Sequence, residues 1–126
     1  MSTGDPEMRR HLAKAVQFLD ASQLALDARL GDAAVSCAVT AGIHATDAIC
    51  VARLGRRSAG GSHHDAVDLA RRAGNEGRRA ASHLQRLLAV KNKAQYDASP
   101  VTAAAAGRAV ETARRLVDLA RQVVAG

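Results

Sequence analysis

The sequence predicts an all-α fold: one domain over residues 1–126, built as an antiparallel up-and-down bundle of four long helices and one short one. Three observations carry that prediction. The stretch Asp32 to Leu54, DAAVSCAVTAGIHATDAICVARL, is nearly free of charge, so a helix there must be covered on most of its sides. Three further segments repeat apolar residues at steps of three and four, the period of a helix with one inward face. No segment alternates apolar and polar residues as a strand does, and no internal repeat or low-complexity tail is present.

The first helix is expected from Pro6 to Leu30. Asp5 suits the N-cap, Pro6 the first helical position, and Glu7 complements the helix dipole. Met8, Leu12, Val16, Leu19, Leu26 and Leu30 form its inward stripe. Gly31 and Asp32 then read as a glycine stop followed by the next N-cap, a joint so short that the first two helices must run antiparallel. The near-neutral second helix ends at Gly55. Gly55 to Ser62, GRRSAGGS, is the one glycine-dense loop. Arg56 and Arg57 make it a candidate phosphate contact, but no Gly-Lys-Ser/Thr follows, and a flexible basic connector is the simpler reading.

Ser62-His63-His64-Asp65 resembles a capping box, with an acid three residues after the serine. A short helix is expected from there to about Ala73. Gly74-Asn75 breaks it and caps the next, Glu76 to about Gln95, whose stripe is Ala80, Ala81, Leu84, Leu87 and Leu88. Continuing that stripe reaches Lys91, on or beside the inward face, where a snorkelling stem can cover apolar surface. In the last joint Ser99 is expected to cap and Pro100 to open the final helix, which runs to about Val124. Ala106, Ala109, Ala113, Leu116, Ala120 and Val123 form its seam, and Glu111 and Arg115 can pair on its far side.

A chain of 126 residues with Phe18 and Tyr96 as its only aromatics has to fill its interior with alanine. Each buried alanine removes little apolar surface from water, so the monomer's core is modest and a symmetric dimer is expected. The net charge of +6 attracts nucleic acid and anionic surfaces, although acidic residues are interspersed with the arginines. Cys37 and Cys50 lie thirteen positions apart on one helix, about 20 Å at the helical rise, too far for a disulfide. Two free thiols and the absence of a secretory leader pattern lead to an expected cytoplasmic location. Asp47 and His44 near the middle of the second helix argue against a membrane span.

Those two residues are the first candidates for something other than packing. An aspartate on a covered helix is costly without a partner. It can be met by His44, one turn away, or by Lys91 from the neighbouring helix, which would account for a base on an inward stripe. His63 and His64 sit where a helix dipole disfavours the imidazolium, as candidate ligands or acid–base groups. Arg78 and His83 form an R-x4-H string inside the fourth helix, and Arg57 with His63 spans the glycine loop at similar spacing. Tyr96 reads as a packing residue with its hydroxyl tied to a neighbour, and the two cysteines as inert thiols. No zinc pattern of cysteines is present, and neither a metal nor a cofactor is expected.

The polar-punctuated second helix, the glycine loop leading to Ser62-His63, and Lys91-Asn92-Lys93-Ala94-Gln95-Tyr96-Asp97 before the last helix together resemble the HEPN superfamily. More closely they resemble its small stand-alone actinobacterial branch, which has K-x-x-A-x-Y at this place; the resemblance spans roughly residues 10 to 124. It implies a helical bundle that pairs as a homodimer. Many such domains are metal-independent ribonucleases with an R-x(4–6)-H motif in a cleft formed by both copies. Others lack the motif and bind RNA, nucleotides or proteins, often beside a nucleotidyltransferase. Here Lys91 stands where arginine is expected, Tyr96 follows five residues on, and no histidine is in reach. The expectation is therefore a non-catalytic module that dimerises and binds a partner protein, nucleotide or RNA. The alternative is a metal-independent ribonuclease of toxin–antitoxin type using Lys91, Tyr96, His63, Arg78 or His83. A helix-turn-helix DNA reader fits less well, because the helices are long and no compact recognition unit is present.

Overall fold

The computed structural model describes residues 5–126 and, within them, five helices and no strand. They are α1 (Asp5–Asp27), α2 (Gly31–Leu54), α3 (His63–Ala70), α4 (Gly74–Tyr96) and α5 (Ala103–Ala125). The near-neutral segment is the centre of the bundle: α2 packs against each of the other four helices. Its buried set runs around the whole helix and includes Val35, Val39, Ile49, Cys50 and Val51. By length and composition α2 could cross a bilayer, but 72% of its most apolar window is buried inside the protein, as befits a core helix.

Alanine is the commonest buried residue, and the helices approach correspondingly closely. A Cβ built on Gly42 would lie 2.5 Å from Leu87 Cδ1 and 3.2 Å from Leu116 Cδ2, so α2, α4 and α5 meet where α2 has no side chain. On α1 the inward stripe holds Met8, Ala15, Leu19 and Ser22, with Leu12, Val16 and Leu26 packed at its margin. Ser22 is fully buried and donates its hydroxyl to the Leu19 carbonyl at 2.7 Å, which satisfies it. Leu30, expected on that stripe, lies beyond the helix and is 58% exposed.

The joints depart most from expectation. The residue that closes α1 in the left-handed conformation is Arg29, at φ 62°, not Gly31. Leu30 N–H donates to the Ala25 carbonyl and Arg29 N–H to Leu26, the paired bonds of a Schellman motif. Gly31 is instead the first residue of α2, where a Cβ would meet the Val101 carbonyl at 3.3 Å. Asp32 does not cap α2; its Oδ1 accepts from the Val101 backbone N–H at 3.0 Å and ties the start of α2 to the lead-in of α5. The capping role expected of Asp5 lies outside the described side chains.

Gly55 ends α2 as expected, at φ 73°, with its N–H on the Val51 carbonyl. Ser62 caps α3 by accepting from His64 N–H. α3 stops at Ala70, three residues early, because α4 crosses tightly there: a Cβ on Gly77 would run into the Ala70 carbonyl and Ala73. Asn75 does not cap α4; it accepts from Arg78. Before α5, Thr102 and not Ser99 is the N-cap, accepting from Ala105 N–H at 3.1 Å, while Ser99 N–H closes a turn on Asp97 Oδ1. Pro100 therefore precedes the helix and does not open it.

Candidate functional site

The polar face of α2 is set by helical spacing. Ser36, Thr40 and His44 stand at i, i+4 and i+8, hence in one row, and Asp47 follows one turn later. Two helices close over this row from opposite sides, and they bring different chemistry.

On the α1 side, His44 meets His11. Their Nδ1 atoms are 3.1 Å apart and the rings stack with centroids at 5.4 Å. Phe18, two turns along α1, stacks on His44 at 6.2 Å. Asp47 completes the group: one ligand-type atom from each of His11, His44 and Asp47 lies within 4.8 Å of the others. Asp47 is 6% exposed and makes no hydrogen bond or ion pair among the described residues. Burial raises its carboxyl to about 6, against the pull of the Arg57 guanidinium. Arg57, from the glycine loop, is itself held by Glu7 at 3.5 Å. Burial, with neighbouring positive charge, pushes both imidazoles below their ordinary range.

The expected Asp47–Lys91 pair does not form. Lys91 comes from α4 to the other side of the row, away from Asp47, because α1 occupies the flank toward which Asp47 turns. There Lys91, His63, Thr40, Ser36 and His44 line a cavity of about 340 Å³, floored by Val39 and Ile43. Three helices thus supply one cation, two imidazoles and two hydroxyls. His63 is held below its usual range, first by partial burial and then by the Lys91 charge. This juxtaposition of Lys91, His63 and His44 joins three residues that the sequence singled out separately.

Other expected residues fall elsewhere. Tyr96 is 81% exposed and its hydroxyl has no partner among the described residues, since the last turn of α4 runs past the helices that cover it. His64 and Arg56 are exposed. Arg78 is exposed and held by Asn75, so the R-x4-H string splits apart. His83 instead lies in a groove of about 440 Å³ between α4 and α5, among Arg79, Arg86 and Arg115. Its Nδ1 is buried without a hydrogen-bond partner among the described residues, and burial followed by the arginines keeps the ring neutral to lower pH. Cys50 is buried and its thiol is pushed up to about 12, which makes it inert.

Sequence reasoning missed His11 and gave Glu7 only a helix-dipole role. Their i, i+4 spacing on the first helix was the available signal, and His11 stands beside Leu12 at the margin of the inward stripe, between Met8 and Ala15. It also missed Arg79 and Arg86, which flank His83 at i−4 and i+3 and share its face more closely than Arg78 does.

No curated protein matches the chain. The family model of the HEPN domain matches residues 8–123, which takes in all of α2 to α4 and nearly all of α1 and α5. With that span matched on an all-helical bundle of this element order, the chain belongs to the HEPN domain family.

Proposed function

We propose that this HEPN domain binds RNA, seating a phosphate in the groove beside α2 with Lys91 as its cation. The observation that carries the reading is the shared cavity of Lys91, His63, Thr40 and Ser36. A lone ammonium beside the Ser36 hydroxyl and the His63 and His44 imidazoles, on a half-open apolar floor, is the kind of site that fixes one phosphate by charge and orients it by hydrogen bonds, while the Thr40 hydroxyl is spent on the Ser36 carbonyl. The net charge of +6 brings the polyanion to it. Tyr96, turned to solvent, leaves the Lys91-to-Tyr96 segment without a second group in the groove, and so the reading is binding without turnover. Pairing of two copies, a nucleotidyltransferase-type partner and a cytoplasmic setting belong to the same reading.

A second reading, RNA cleavage, is favoured by one observation: His63 is neutral to lower pH and shares its cavity with a cation. A neutral imidazole can take the proton of a ribose 2′-hydroxyl as that oxygen attacks the adjacent phosphorus. The P–O5′ bond then breaks, the 5′-oxygen takes a proton from water, and a 2′,3′-cyclic phosphate forms, with Lys91 stabilising the charge that builds on the phosphoryl oxygens.

Labelled single-stranded RNA mixed with purified protein in EDTA separates the two. Binding that weakens steeply with salt, falls with Lys91→Ala and leaves the RNA intact supports the first. Cleavage in EDTA that is lost in His63→Ala replaces it with the second. Neither binding nor cleavage at low salt overturns both.

A further inference from the structure

We propose that His11, His44 and Asp47 form a binding site for a divalent metal ion of the zinc class, clamping α1 to α2. Two imidazoles and a carboxylate are a donor set suited to zinc, cobalt or nickel and poor for magnesium or calcium. The geometry is near to what such an ion needs. Nitrogen ligands bound at about 2.0–2.1 Å in a tetrahedral site stand about 3.3 Å from each other. The two Nδ1 atoms are 3.1 Å apart, and one ligand-type atom from each of His11, His44 and Asp47 lies within 4.8 Å of the others.

The surroundings fit the same role. Two facing Nδ1 atoms at this distance share either a proton or an ion. Glu7 Oε1 lies 3.8 Å from Nε2 of His11, on the side of the ring away from His44. A carboxylate there favours a proton on Nε2 and turns the Nδ1 lone pair inward, the usual arrangement behind a metal-bound histidine. Phe18 against the His44 ring limits its rotation. Arg57 opposes an incoming cation, but Glu7 holds and partly neutralises it at 3.5 Å. A simple imidazole–imidazole hydrogen bond would account for the His11–His44 contact but not for the carboxylate beside it, which no described residue bonds; an ion would engage all three groups.

The site adjoins the Lys91 groove through His44 but is independent of the RNA reading, which is tested in EDTA. The experiment uses tag-free, EDTA-stripped protein titrated with Co²⁺ and followed by its visible d–d absorption, with Zn²⁺ added as competitor and in calorimetry. The expected result is an intense low-coordinate spectrum saturating at one equivalent and displaced by Zn²⁺. His11→Ala and Asp47→Asn should each weaken binding by more than about 100-fold, and Glu7→Gln by about 10-fold. His83→Gln, remote from the cluster, should bind as the wild type does. Circular dichroism verifies that each variant is folded, and Glu7→Gln keeps the test informative if a buried change is not tolerated. A wild-type spectrum like that of aqueous Co²⁺, unchanged binding in folded His11→Ala, or equal loss in His83→Gln would overturn the proposal.

Discussion

Gly42 of α2 lies against Leu87 of α4 so closely that a methyl group at Gly42 would stand 2.5 Å from Leu87 Cδ1. Leu87 is itself 1% exposed, so its Cδ1 must shift within the packed core to admit the methyl. Gly42→Ala gains about 1 kcal/mol of helix propensity, but overpacking a filled core costs about 1–3 kcal/mol. The expected net effect is a loss of about 1 kcal/mol, and clearly more for Gly42→Val, read as a lower urea midpoint with an unchanged slope. A stabilised Gly42→Ala would show that the helices have slack at this crossing.

Leu84 is fully buried between helices lined mostly by alanine. Small neighbours collapse poorly into a void, so Leu84→Ala is expected to cost about 3–5 kcal/mol, toward the upper part of the usual range. Thermal melts followed by circular dichroism measure it.

The N-cap of α5 distinguishes two neighbouring residues. Thr102→Ala removes the hydroxyl that accepts from Ala105 N–H and is expected to cost about 1 kcal/mol. Ser99→Ala, which keeps the backbone turn on Asp97, should change stability by less than half that. Equal losses would move the cap back to Ser99.

His83 makes stability depend on pH. Its folded pKa lies below the ordinary 6.5, because burial and then Arg86, Arg115 and Arg79 disfavour its charged form, with Asp118 the one acid lining the groove. The unfolded chain therefore takes up this proton at higher pH than the folded one. The stability is fully present above pH 6.5 and declines as the pH falls through and below it. His83→Gln should melt with a shallower decline than the wild type between pH 6.5 and 5. An identical decline would show that His83 charges freely in the folded state.

Lys91 tests the groove by charge. Lys91→Glu is expected to abolish measurable RNA binding at moderate salt, whereas Lys91→Ala weakens it for all sequences and lowers the salt slope by about one phosphate. Tyr96→Ala, outside the cavity lining, should leave affinity within about twofold, because no phosphate contact is lost.

The elements were legible because helical period and charge avoidance are local properties. Ala80 to Leu88 and Ala106 to Val123 point inward as their spacing requires, and Gly55 and Ser62 end and begin helices as their chemistry suggests. Roles that depend on a distant neighbour were not legible. Gly31 looks like a helix stop, but its lack of a side chain serves an approach to Val101, while Arg29 takes the left-handed turn. Asp32, Ser99 and Asn75 have the composition of caps and serve other bonds. Asp47 shows the same limit at the site. Its burial follows from the uncharged run around it, but whether α1 or α4 lies on its side of α2 is a matter of packing. The structure gives it His11 where the sequence offered Lys91.

The central position of α2 has a consequence for motion. Because every other helix rests on it, no outer helix can swing away without baring part of the same rod. Amide hydrogens from Val39 to Cys50 should therefore trade with deuterium only when the whole molecule opens, while those of α3, which touches α2 and α4 alone, exchange through smaller excursions.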